Sequence, residues 1–167
     1  SAATLTSVSV PSGLTLNANG TITVAPGTPA GTYPVQYQIC QVANPAVCDT
    51  ATATVVVSSI DAVNDTPSVV NGNTGATTAS IYANDTINGV SFSPSAITVT
   101  TSALPSGFTL NANGTITVAA GTAAGSYPIT YTICQVANPS ICDTAVTTIV
   151  VATIDAINDT PSTINGT

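Results

Sequence analysis

Residues 95–167 repeat residues 1–73 without insertion or deletion, so that Cys40 returns as Cys134, Cys48 as Cys142 and Asp61 as Asp155. The offset is constant, 134 − 40 = 94, and about two-thirds of the aligned positions are identical. A near-copied unit of this size constrains the chain to an array in which each module contacts mainly its neighbours. Because Ser1 corresponds to Ser95, the sequence opens in mid-unit. It predicts the C-terminal part of one module over 1–61, a complete module over 62–154, and a linker with the first strand of a third over 155–167. Counterparts of 68–93 are missing from the first unit, which would leave it with an open core and unpaired strand edges unless another segment covers them.

Thr, Val, Ile and Tyr dominate the ordered stretches, and turn residues punctuate them every 8–12 positions or so, the pattern of a β-sandwich. Extended segments are expected near Ser68–Asn71, Thr78–Ala83, Gly89–Ser93, Ala96–Thr101, Phe108–Leu110, Thr115–Ala119, Tyr127–Cys134 and Ala145–Thr153. In Tyr127–Ile133 the alternation sends Tyr127, Ile129, Tyr131 and Ile133 to one face and Thr130 and Thr132 to the other. Asn19-Gly20 and its copy Asn113-Gly114 mark hairpin turns. No segment carries a helical apolar stripe. The fold class is therefore all-β: tandem immunoglobulin-like sandwiches of about 94 residues arranged end to end.

Composition excludes more than it assigns. The chain has no Lys, Arg or His, and its seven acidic residues, all aspartates, give a net charge of −7. Acid–base and nucleophilic catalysis near neutral pH usually draw on His, Lys or Glu, so no enzyme is expected. Paired aspartates can hydrolyse glycosides, but here they are scattered over turns at matching places in each copy. Without a cation the chain cannot neutralise phosphates, which argues against nucleic acid and anionic membrane surfaces. No apolar run reaches the ~18 residues of a membrane span. The lack of Lys and Arg also leaves trypsin-like proteases no cleavage point.

Each unit carries one Cys-x7-Cys pair, Cys40 with Cys48 and Cys134 with Cys142. Even numbers at fixed spacing read as disulfides in an oxidising compartment, each worth about 2–3 kcal/mol for so short a loop. A four-thiolate metal site or free buried thiols are the alternatives.

The string Leu104–Val118, LPSGFTLNANGTITV, followed by Ala124-Gly125-Ser126-Tyr127, resembles the signature of bacterial Ig-like and cadherin-like repeats. The continuation through Cys142 to Asp155–Ser162 is similar to tandem repeats of large Bacteroidetes surface adhesins, exported by the type IX system and used in gliding and attachment. The resemblance covers essentially the whole chain. It implies an extracellular, multi-module stalk without naming a ligand.

Two residue sets follow from it. Asp61, Asn64 and Asp65, with the copies Asp155, Asn158 and Asp159, look like the calcium-binding linker of cadherins, to which Asn84 and Asp85 add donors. The chain departs from that family in lacking the glutamates of the preceding module, and the same residues also suit Asx turns that shape a linker. Asp49-Thr50-Ala51, Asp85-Thr86-Ile87 and Asp143-Thr144-Ala145 match the Bacteroidetes O-glycosylation motif, which makes Thr50, Thr86 and Thr144 candidate glycan carriers.

The expected function is a structural repeat of an extracellular fibrous adhesin or surface filament, acting as a protease-resistant spacer. Its partners would be neighbouring copies of the repeat, in cis or by strand exchange in trans, together with covalent glycans. A pilus-like filament of separate strand-donating subunits is the first alternative. A carbohydrate-binding module is the second, weakened by the absence of Trp and by tyrosines placed for core packing, only Tyr82 lacking a copy.

Overall fold

A computed structural model describes residues 2–66, 68–160 and 163–165. The strands are β1 (Ala3–Ser9), β2 (Leu14–Leu16), β3 (Ile22–Val24), β4 (Gly31–Gln41), β5 (Cys48–Val57), β6 (Ile60–Asp61) and β7 (Ser68–Asn71). They continue with β8 (Ala76–Ser80), β9 (Thr86–Ile87), β10 (Ile97–Thr101), β11 (Phe108–Leu110), β12 (Thr115–Val118), β13 (Gly125–Gln135) and β14 (Cys142–Ala152). The described residues contain no α-helix, only a 3-10 turn at Pro94–Ala96.

The complete unit is a sandwich. One sheet has the order β10-β13-β14-β7, antiparallel except for the parallel β14–β7 pair, and the facing sheet has the order β11-β12-β8. The alternation predicted for β13 holds: Ile129, Tyr131 and Ile133 are buried while Thr130 is exposed. They meet Ile116 and Val118 of β12, Ile149 and Val151 of β14, and Ile81 and Val70 from the first third of the unit. Ile60, before the unit's linker, is buried in the same cluster.

The predicted strand at Gly89–Ser93 is not formed. Asn88-Gly89 is instead a two-residue turn with φ of 53° and 75°, and Ile87 and Val90 exchange backbone hydrogen bonds across it. Two consecutive positive-φ residues are the requirement of a type I′ turn, which Asn-Gly meets at low cost. The strand expected at Thr78–Ala83 begins earlier, as β8, and ends at Ser80 because Ser80–Asp85 forms turns closed by Ala83 N–H to the Ser80 carbonyl.

The first unit repeats half of this arrangement, with a β1-β4-β5 sheet and a β2-β3 hairpin in the registers of their copies. Among its described residues it has no counterpart of β7 or β8, and part of its core face is uncovered. Ile39 is 45% exposed where its copy Ile133 is 0%, and Val24 is 38% exposed where Val118 is 2%. Residue type and strand register are the same at these two positions, so the difference follows the covering strands. Val35, like its copy Ile129, is buried in both units.

The Asn-Gly hairpins offer a matched test. Gly20 and Gly114 both sit in the left-handed region, at φ 85° and 81°. An added methyl at Gly114 would lie 2.5 Å from the Tyr82 ring and from Ser80 Oγ, whereas at Gly20 it would meet nothing within 4 Å. We expect Gly114→Ala to destabilise the chain by about 2–4 kcal/mol through strain plus collision, and Gly20→Ala by about 1 kcal/mol through strain alone. Denaturant unfolding of the two variants measures the difference.

Candidate functional site

The sequence-predicted polar residues separate into a docked set and a free set. Asp61–Asp65 lie along the complete unit, bonded to its loops. Their copies, Asp155–Asp159, are exposed throughout.

Docking begins before the linker. Ser59 N–H donates to Asn88 Oδ1 at 2.8 Å, and Asn88 N–H donates back to the Ser59 carbonyl at 3.0 Å. Gln135 Nε2 donates to the same carbonyl at 2.7 Å. Ile60 and Asp61 then pair as β6 with Ile87 and Thr86 of β9. Ala62 N–H donates to Asp143 Oδ2 and Val63 N–H to Asp85 Oδ1, both at 2.8 Å. Asn64 Oδ1 accepts from Val146 N–H at 2.8 Å, and Asp65 N–H returns a bond to the Val146 carbonyl at 3.1 Å. Asn84 Nδ2 donates to the Val63 carbonyl at 3.0 Å. Backbone groups that a loop would leave to water are paired here with side chains of the module.

Asp85 is the centre of the arrangement and is 0% exposed. The Tyr131 hydroxyl lies 3.2 Å from both its carboxylate oxygens and 3.0 Å from the Ile81 carbonyl. Burial raises the Asp85 pKa first; the Val63 and Tyr131 donors lower it, and the fields of Asp61 and Asp143 raise it again. Burial, followed by Asp65 and Asp85, pushes the Tyr131 phenol upward and keeps it a proton donor. Asp65 reaches a pKa of about 6, chiefly through burial and then through repulsion from Asp85, with Thr147 drawing it partly back. Its Oδ2 is buried without a hydrogen-bond partner, beside a cleft of about 280 Å³ lined by Asn64, Ser68, Thr78 and Thr147.

The donor set does not form a cation cage as arranged. Calcium takes six to eight oxygens, yet here N–H or O–H groups point at Asp85, at Asp143 Oδ2 and at Asn64 Oδ1. Asn84 presents its amide nitrogen to the linker. Among the described residues no three Asp or Cys side chains converge on a metal-sized point.

Both cysteine pairs are disulfides, Cys40–Cys48 and Cys134–Cys142, each joining directly opposed residues of an antiparallel pair with Cα atoms 4.1 Å apart. Thr50 and Thr144 are exposed, and Thr144 Oγ1 lies 2.8 Å from Thr132 Oγ1; Thr86 is half-buried in β9. Tyr82 is buried against Phe92 with ring centroids 6.2 Å apart, so it offers no sugar platform. Tyr33 and Tyr127 donate to the carbonyls four residues earlier, Pro29 at 2.8 Å and Ala123 at 2.9 Å.

Four participants, Asp143, Tyr131, Gln135 and Asn88, lie outside the linker and loop residues singled out by sequence. Asp143 stands in a glycosylation motif, Tyr131 in a core alternation and Gln135 in a disulfide loop. Only Asn88 carried a local signal, the Asn-Gly dipeptide.

No protein-family model matches the sequence, and no curated protein is significantly similar to it. Solved structures similar to the chain include mouse cadherin-23 repeats EC22-24, at 12% identity, with a TM-score of 0.44, 91% of this chain covered and 53% of that one. The human desmocollin-1 ectodomain is 9% identical, with a TM-score of 0.46, over 91% of this chain and 34% of that one. A glycoside hydrolase family 107 endo-fucoidan hydrolase is 14% identical, with a TM-score of 0.39, over 92% of this chain and 24% of that one. The chain therefore spans about half or less of these three structures.

Two measurements probe the junction. Tyr131→Phe removes a donor from a buried carboxylate and should cost about 1–3 kcal/mol in urea unfolding. Asp65 behaves oppositely with pH. Its folded pKa of about 6 exceeds the usual 3.8, so between those values the folded state retains a proton that the unfolded chain releases. Stability from this group is highest below about pH 4 and falls until about pH 6; the full shift is worth about 3 kcal/mol, which solvent screening of this partly exposed side chain reduces to on the order of 1–2 kcal/mol. Asp85 shifts in the same direction. Asp65→Asn should flatten that decline and raise stability at pH 7.

Proposed function

We propose that the chain is part of a tandem array in an extracellular fibrous adhesin or surface filament of the large Bacteroidetes type, where it serves as a protease-resistant spacer. The observation that carries this reading is the docking of Asp61–Asp65 onto the module that follows it, in a segment that recurs almost unchanged as Asp155–Asp159. A linker whose bonding partners all belong to the next module has its use in a chain of modules.

The organisation that goes with this reading is part of one repeat over 1–61, a whole repeat over 62–154, and a linker with the first strand of another over 155–167. Disulfides favour an oxidising, extracellular location. A chain without Lys or Arg favours exposure to foreign proteases. No helix among the described residues is long and apolar enough to cross a membrane. Partners are neighbouring repeats, and glycans at Thr50 and Thr144 would sit on accessible surface; Thr86 is the least accessible of the three.

Strand donation between separate subunits is the second reading, favoured by the uncovered apolar face of the β1-β4-β5 sheet. Mass distinguishes the two. Protein recovered from the cell surface and analysed under reducing, denaturing conditions should run far above 16 kDa. A species near that mass would instead identify filament subunits.

A further inference from the structure

Each disulfide hairpin repeats one detail beyond its cysteines. Gln41 and Gln135 immediately follow the first cysteine, and Asp49 and Asp143 immediately follow the second. In the complete unit both of these neighbours touch the incoming chain. Gln135, only 5% exposed, donates to the Ser59 carbonyl, and its Oε1 lies 3.1 Å from Ser58 Oγ. Asp143 accepts from Ala62 N–H through Oδ2 and holds its own loop by accepting from Thr144 N–H through Oδ1. In the first unit Gln41 and Asp49 are exposed, yet the hairpin has the same form. The disulfide spans the same 4.1 Å, and Gln41 N–H reaches the Val47 carbonyl at 3.0 Å as Gln135 N–H reaches Ile141. The hairpin is therefore formed whether or not a linker occupies it.

We propose that this Cys-Gln…Cys-Asp hairpin is a preformed clasp for the connector entering each module, and that it closes without a divalent cation. The disulfide fixes the separation of the two prongs. Gln135 grips residues 58–59, where Asn88 completes the hold, and Asp143 grips Ala62. Asp85 and Asn64 then fasten Val63 and Val146 on either side. Backbone and hydroxyl donors already occupy Asp85, Asp143 and Asn64 Oδ1, three of the oxygen-bearing groups calcium would need, so hydrogen bonds do the stiffening that a bridging cation would otherwise do. The role deepens the spacer reading by naming what holds a joint, but its contacts all lie within residues 58–146. Its failure would leave the mass of the natural polypeptide unexplained either way, and the mass result does not decide it.

The test is amide hydrogen exchange on the 167-residue chain, in millimolar calcium and in EDTA, with thermal unfolding alongside. Protection of the Ala62, Val63 and Val146 amides, and the melting temperature, should be the same in both solutions. Asp143→Ala should speed exchange at Ala62 by roughly tenfold or more, the worth of a hydrogen bond to a charged acceptor, over and above any change shared by the core amides. Asn64→Ala should do the same at Val146, which keeps the test open if the first variant folds poorly. Reduction of the disulfide should loosen Ser59 and Ala62 together. Calcium-dependent protection at these amides, or an Ala62 amide indifferent to Asp143→Ala, would overturn the proposal.

Discussion

The β10-β13-β14 sheet has an apolar face that cannot stay dry alone, and covering it is the constraint on which the rest of the structure depends. Ile60, Val70 and Ile81, all from before residue 90, supply the cover over Ile133, Ala145 and Ile149. Burying a side chain of that size is worth about 1.5–3 kcal/mol, so several together decide whether the sandwich exists. The first unit shows the same sheet without those residues. Its Ile39 stands open although its hairpins and disulfide are intact. Local structure in this chain survives without the cover; the burial of Ile39 and Val24 does not.

That dependence explains where the polar chemistry lies. A covering segment has to enter from the preceding module, and residues 58–65 run across the end of the sandwich before reaching β7. Their amides and carbonyls need partners, which the module supplies from Asn84, Asp85, Asn88, Gln135 and Asp143. Aspartates suit the task because each can accept from a backbone N–H, and in a chain without cations the cost is mutual repulsion. Asp65 shows it in part: burial first, and then the field of Asp85, raise its pKa to about 6.

Features whose causes are local could be read from the sequence. Alternation along Tyr127–Ile133, the Asn113-Gly114 turn and the cysteine spacing each announce a structure a few residues wide. The linker contacts could not be read that way. Ala62 meets Asp143 across a separation of 81 residues, and nothing in Asp143-Thr144-Ala145 distinguishes a clasp from a glycosylation motif. Tyr131 likewise reads as core by its alternation, and only the fold shows its hydroxyl ending on Asp85. The Asn88-Gly89 turn was within reach of sequence reasoning. The expected strand at Gly89–Ser93 displaced it, because apolar Val90 and Phe92 alternate across a stretch that forms no ladder.

The account rests on burial by the covering segment, and the two copies of one sheet test it within a single molecule. Native-state hydrogen exchange at the Ile39 and Ile133 amides is the direct measurement. Both lie in the central strand of equivalent ladders with the same antiparallel neighbours. The account predicts that Ile133 exchanges only through global unfolding and that Ile39 exchanges faster by at least about a hundredfold. Equal protection at the two amides would contradict it, because the sheet would then be stable without its cover.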